Sequence, residues 1–248
     1  MEQFTIKPLI AEPVLHIGHY PIYFTNQALL MVIVALASSL FLILAVKPNR
    51  LVPSRGQSMA ELSYEFVANM IHSATGEDGL KFFPLVFTLF MFVLCCNFFG
   101  MIPGSFTVTS QIAVTLGLAS LVILVVIVTG IARHGWRFIM LFIPKAPIYI
   151  VPLLFLIEVI SFCSRPISLS VRLFANMLAG HTLLAVFAGF VVSLGAAGGW
   201  LSALSIAPML LIVGIMLLEL LVAFLQAYVF AILTCIYLNE ALHLHDHH

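Results

Sequence analysis

Apolar runs dominate the chain, and polar or helix-breaking residues cut them into five blocks. A helix rises about 1.5 Å per residue, so about 20 apolar residues cross the hydrocarbon of a bilayer. The pattern predicts spans at 26–46, 82–102 and 108–132, closed by KPNRLVPSRG, by Pro103 and Gly104, and by RHGWR. Two further blocks, 147–194 and 201–238, are far longer than one perpendicular crossing needs. The first contains FCSRPISLSVR, so one long tilted helix and a hairpin turning near Arg165 and Pro166 both fit. A single crossing there gives five spans and a double crossing gives six. In 56–73, Met59, Leu62, Phe66 and Met70 share one helical face while Glu61 and Glu65 lie elsewhere on the wheel. That segment reads as an amphipathic helix at the membrane interface, or equally as a polar-faced helix packed under the bundle. Residues 1–25 precede the first span and 239–248 form a polar tail, so 1–248 reads as a single, all-α membrane domain.

Composition agrees with that medium. Hydrophobic residues make up 62% of the 248 and charged residues 8%, where a soluble domain carries about 25% charged residues. A soluble fold is excluded, because so few charges cannot clothe its surface. Formal net charge is zero, and no basic patch points to nucleic acid. Cys95, Cys96, Cys163 and Cys235 sit in apolar runs without disulfide or zinc-site spacing and read as small apolar fillers. The opening MEQFTIKPLIAEP lacks the pattern of a cleaved signal. No cofactor motif is present, and the phosphate-loop pattern GxxxxGK[ST] is absent. Lys47, Arg50, Arg55, Lys81, Arg133, Arg137 and Lys145, seven of the ten basic residues, fall on one side of the predicted spans. The positive-inside rule makes that side the cytoplasm of a bacterium or the matrix of a mitochondrion, with the N-terminus outside. Five spans then put the C-terminus inside.

Against this background the stretch SVRLFANMLAGH, 170–181, is anomalous. It buries an arginine with no acidic residue nearby in sequence, which is costly in hydrocarbon. On a wheel of about 100° per residue, Glu158, Ser161, Arg165, Ser168 and Asn176 all fall within about 40° of Arg172. This stripe predicts one continuous helix whose polar face meets protein or a water-filled passage, and a hairpin at Pro166 would destroy it. His181 falls on the opposite face. In the last block, Glu219 and Gln226 share a face, and Glu219 is the acidic residue available to His181. Two antiparallel helices would set His181 against Glu219, with Gln226 nearer the arginine, and Ala175, Ala179 and Gly180 would allow close approach. Histidine and glutamate exchange protons, whereas arginine holds its own and acts as a fixed charge. Plainer readings stand beside these: a snorkelling Arg172, a static His181–Glu219 pair, Glu158 as a partner of Arg165, and serines bonded back to helix carbonyls. HLHDHH at the end reads as a solvated tail before it reads as a metal site or a purification tag.

The residues SRPISLSVRLFANMLAGH at 164–181 and LLELLVAFLQAYVFAILTCIYL at 217–238, with CCNFFGMIPGSFTVTS at 95–110, resemble subunit a of the F-type rotary ATP synthase. The likeness runs over the whole chain. It implies five spans, the last two long helices tilted as a hairpin along a rotating ring of c subunits. It implies further partners in the b-type peripheral stalk subunits and the rest of the ATP synthase complex. The setting is the lipid bilayer of an energy-coupling membrane: a bacterial inner membrane first, a mitochondrial inner membrane second. Arg172 matches the family's essential arginine, and Asn176 and Gln226 match its amides. Some bacterial members place glutamate where His181 stands and histidine where Glu219 stands, so this chain carries the exchanged version. The implied function is that of a non-catalytic stator subunit with two offset half-channels. One lies near His181, Glu219 and Asn176 on the outer side, the other near Glu158, Ser161 and Ser168 on the inner side. A proton-coupled secondary transporter is the rival class, though no matching inverted repeats are found. A structural anchor leaves the polar stripe unexplained, and a sodium-coupled version of the same machine turns on the ring, which this chain does not contain.

Overall fold

A computed structural model describes residues 15–17, 20–45, 54–102, 107–135, 149–198 and 204–242. Five helices in it are long and apolar enough to cross a membrane. They are α1 (Asn26–Ala45), α3 (Phe83–Gly100, extended at its start by a 3-10 turn, Glu77–Phe82), α4 (Ile112–His134), α5 (Val151–Ala196) and α6 (Ile206–Leu242). The sixth helix, α2 (Arg55–Thr75), is the least apolar, with Arg55, Glu61 and Glu65 in it. The fold is all-α but for one antiparallel ribbon, β1 (Leu15–Ile17) against β2 (Tyr20–Ile22), in the stretch read from sequence only as a leading segment.

Local chemistry sets the helix ends. Ser54 caps α2, its hydroxyl accepting the Gln57 N–H at 3.3 Å. At the other end Gly76 takes φ +66°, a conformation that costs a residue with a Cβ. The segment 108–110, read as the start of the third span, forms a separate 3-10 turn, and α4 begins only at Ile112. The last helix continues through Asn239 and Glu240, which the sequence pattern had assigned to the polar tail. Two contacts hold this extension: an Arg165–Glu240 ion pair, and the His134 imidazole, whose Nε2 lies 3.1 Å from the Leu242 carbonyl oxygen.

α5 is unbroken over 46 residues with Pro166 inside it, so the alternative of a hairpin at that proline does not occur. Proline removes one backbone donor and bends a helix without having to end it. α6 is the element around which the others gather. Its Ala227, Phe230, Ala231, Cys235 and Leu238 are buried against α2, α3, α4 and α5. Small residues let these helices approach closely, and packing rather than hydrophobic expulsion holds helices together in lipid. Phe66 of α2 packs on Phe90 of α3 and on Phe224 and Tyr228 of α6, with centroids 5.7 to 5.8 Å apart.

The buried face of α2 differs from the one its spacing suggests. Ala60, Val67, Met70, Ile71 and Thr75 are buried, while Met59 and Leu62 are exposed. The helix therefore has two apolar faces, one against the bundle and one turned outward. α5 is open along most of its length, with only 6% of its most apolar window covered by the rest of the chain, and α6 is mostly open before Ala223 and mostly buried after it.

A polar seam between the two long helices

Three contacts tie α5 to α6, and their numbering runs in opposite directions. Arg165 pairs with Glu240, Asn176 with Gln226, and His181 with Glu219. The two helices are therefore antiparallel, and polar groups mark the seam at both ends and in the middle.

At one end, His181 Nε2 stands 3.7 Å from Glu219 Oε1, with both side chains nearly buried. That separation is within ion-pair range and longer than a direct hydrogen bond. A Cβ at Gly180 would sit 2.7 Å from the same Glu219 oxygen, so glycine makes room for the carboxylate. Ala175 and Ala179 are exposed instead, so of the three small residues expected to permit close approach only Gly180 does so toward α6. The wheel explains the split, since Ala175 and Ala179 lie within about 60° of Arg172 while Gly180 is turned away.

In the middle, Asn176 Nδ2 donates to Gln226 Oε1 at 3.1 Å. Gln226 Nε2 is buried with no hydrogen-bond partner among the described residues. A buried amide hydrogen left in this way is rare in folded proteins. Asn97, in α3, supports this region from behind, its Nδ2 donating to the Ala223 carbonyl at 3.1 Å.

At the other end, Arg165 pairs with Glu240 and lies 5.0 Å from the Tyr237 ring centroid. The plainer reading of Glu158 as the partner of Arg165 gives way to this pair, because two helical turns separate Glu158 from Arg165 whereas α6 brings Glu240 alongside. Glu158 is half-buried, and Ser161 and Ser168 are exposed. Arg172 is exposed. No hydrogen bond or ion pair joins the side chains of Glu158, Ser161, Ser168 or Arg172 to another described residue. The stripe thus divides. Asn176 and Arg165 turn into the seam, while Ser161, Ser168 and Arg172 remain on the open face of α5.

Several contacts lie beyond what the sequence pattern singled out. Thr107, just after the undescribed 103–106, places its hydroxyl 3.1 Å from His181 Nε2. Thr115 of α4 and Ser170 of α5 join hydroxyls at 3.0 Å, both buried. A buried polar residue in an apolar run is the one sequence signal they share, and threonine and serine satisfy helix carbonyls too often for that signal to single them out.

A family model described as ATP synthase A chain matches residues 28–239. The chain is 57% identical over 244 residues to ATP synthase subunit a of Mesorhizobium japonicum, covering 98% of this chain and 96% of that one. It is similar in the same way to the proteins of that name from Chelativorans sp., at 56% over 244 residues, and Rhodopseudomonas palustris, at 55% over 247.

Proposed function

The chain belongs to the family of subunit a of the F-type rotary ATP synthase, a non-catalytic, multi-pass membrane subunit with a stator role in proton translocation, and on that footing we propose how its residues divide the work. The relatives are bacterial, and the membrane is a bacterial inner membrane. The open face of α5 lies against a ring of c subunits, and b-type stalk subunits hold the rest of the bundle in place. As one membrane domain, the chain sets α5 and α6 as an inclined hairpin beside the ring, while α2 rests at the inner interface with Met59 and Leu62 toward lipid.

A proton arriving from outside passes between His181 and Glu219, two groups able to hold it, and moves past Asn176 and Gln226 to a ring carboxylate. After nearly a full turn, the carboxylate meets the inner path near Glu158, Ser161 and Ser168 and gives the proton up. Arg172 stands between the two paths. It draws the ionised carboxylate, and as a guanidinium it passes no proton on.

The observation that carries this reading is the combination at Arg172: a cation midway along a membrane-length helix, on the open face, without a counter-ion among the described residues. Such a charge needs a partner from another chain. Arg172→Ala is expected to abolish proton-driven ATP synthesis while the complex still assembles, and to raise passive proton flux through membrane vesicles. Arg172→Lys fails as well, because a compact ammonium lacks the planar fork and can release its proton. Near-normal synthesis by Arg172→Ala would end the proposal.

A further inference from the structure

The structure assigns a positioning role to Thr107: its hydroxyl holds His181 so that Nε2 is the ring atom that trades a proton with Glu219. The assignment rests on the reading of His181 and Glu219 as the outer relay. Thr107 is fully buried, with Oγ1 3.1 Å from His181 Nε2 and 3.4 Å from the Gly100 carbonyl oxygen, to which it donates. A hydroxyl has one hydrogen and two lone pairs. While the hydrogen points to Gly100, a lone pair accepts from a protonated Nε2. When Nε2 is bare, the hydroxyl swings its hydrogen onto that nitrogen. One group therefore satisfies Nε2 in both of its states without moving the ring. The same Nε2 faces Glu219 Oε1 at 3.7 Å, so the two acceptors flank a single nitrogen.

Thr107 is itself held firmly. Its carbonyl accepts from the Ser110 hydroxyl at 2.6 Å and from the Ser110 N–H at 3.3 Å. Its methyl is pressed against Gly100, where an added Cβ would meet Thr107 Cγ2 at 2.9 Å. Thr107 is thus held against the end of α3 and presents its hydroxyl to α5. Among the described residues, the titratable group facing His181 is Glu219 from α6. The 3-10 turn Val108–Ser110 has none, and the charged residues of α4, Arg133 and His134, lie at the other end of that helix.

Two substitutions separate hydroxyl from shape: Thr107→Val keeps the volume and removes the hydroxyl, and Thr107→Ser keeps the hydroxyl. The intact complex carrying each is purified, reconstituted in vesicles, and assayed for proton-driven ATP synthesis as the outer-side pH is varied. Thr107→Val is expected to lower the rate roughly 2- to 10-fold, the range set by losing one net hydrogen bond, and to move the pH midpoint. Thr107→Ser should keep the wild-type midpoint and a rate within about twofold. Should the valine protein fail to assemble, Thr107→Ala takes its place with the same expectation. A wild-type rate and midpoint in the hydroxyl-free variant overturns the assignment, as does an equal loss in valine and serine variants with the midpoint unmoved, which would mark a packing role. His181→Ala in the same series keeps the two ideas apart. If it behaves as wild type, the outer relay itself is wrong; if it is slow while Thr107→Val is normal, only the role of Thr107 falls.

Discussion

At the scale of single residues, the seam depends on which polar atoms are paired and which are left over. His181 and Glu219 share a contact from facing helices, one imidazole against one carboxyl. If the two act as one relay, His181→Glu and Glu219→His should each slow proton flux, and the double exchange should recover more activity than either alone. A double-mutant cycle on proton flux across a pH series measures this coupling; effects that simply multiply, with no recovery in the exchange, would mean independent action. These residues were conspicuous in the sequence because each interrupts an apolar run, where a charge or amide is costly. Thr107 was not conspicuous. It comes beside His181 from outside any helix, and no helical periodicity connects the two. The partner of Arg165 was missed for a related reason: Glu240 lay in what read as a tail, because the hydropathy pattern ends before the helix does.

At the scale of elements, apolar run lengths marked out the crossing segments, since bilayer thickness dictates them, but left five or six crossings open until the polar stripe around Arg172 argued for one continuous helix. They did not give the contact faces. The spacing of Met59, Leu62, Phe66 and Met70 marks one apolar stripe on α2, yet only Phe66 and Met70 of these pack on the bundle, together with Ala60, Val67 and Ile71, while Met59 and Leu62 are exposed. Periodicity identifies apolar residues, whereas neighbours decide which are covered. The α5–α6 alignment can be tested through its inner clamp. Arg165 and Glu240 are partly exposed, with side chains 20% and 39% accessible, so Arg165→Ala should cost only about 1 kcal/mol or less of stability. The reversal, Arg165→Glu with Glu240→Arg, should restore thermal stability of the purified complex toward wild type. Loss in the reversed protein equal to the sum of the two single losses would show that the pair does not align these helices.

For the molecule as a whole, the basic residues and the helix count together predict a sidedness. Ser54 and Tyr149 are exposed and should face the cytoplasm, and Ala197, also exposed, should face outward. With the four native cysteines replaced, single cysteines at these positions can be probed with a membrane-impermeant thiol reagent. Right-side-out vesicles should label Ala197→Cys alone, and inverted vesicles should label Ser54→Cys and Tyr149→Cys. The reverse pattern would invert the proton paths described above.

The length of α5 has a consequence for timing. Its 46 residues make a rod of about 69 Å, more than twice the roughly 30 Å of hydrocarbon. Set within that layer as proposed above, it would lean roughly 60° from the membrane normal. Each residue then advances farther sideways than in depth. Arg172 and His181, nine positions apart, are separated by about 12 Å in the membrane plane and only about 7 Å in depth. Distance along the sequence becomes arc length around the rotor. In the proposed arrangement, a carboxylate carried past α5 would reach the barrier and the point of proton delivery one after the other, so the order of residues in α5 would set the schedule of the turn.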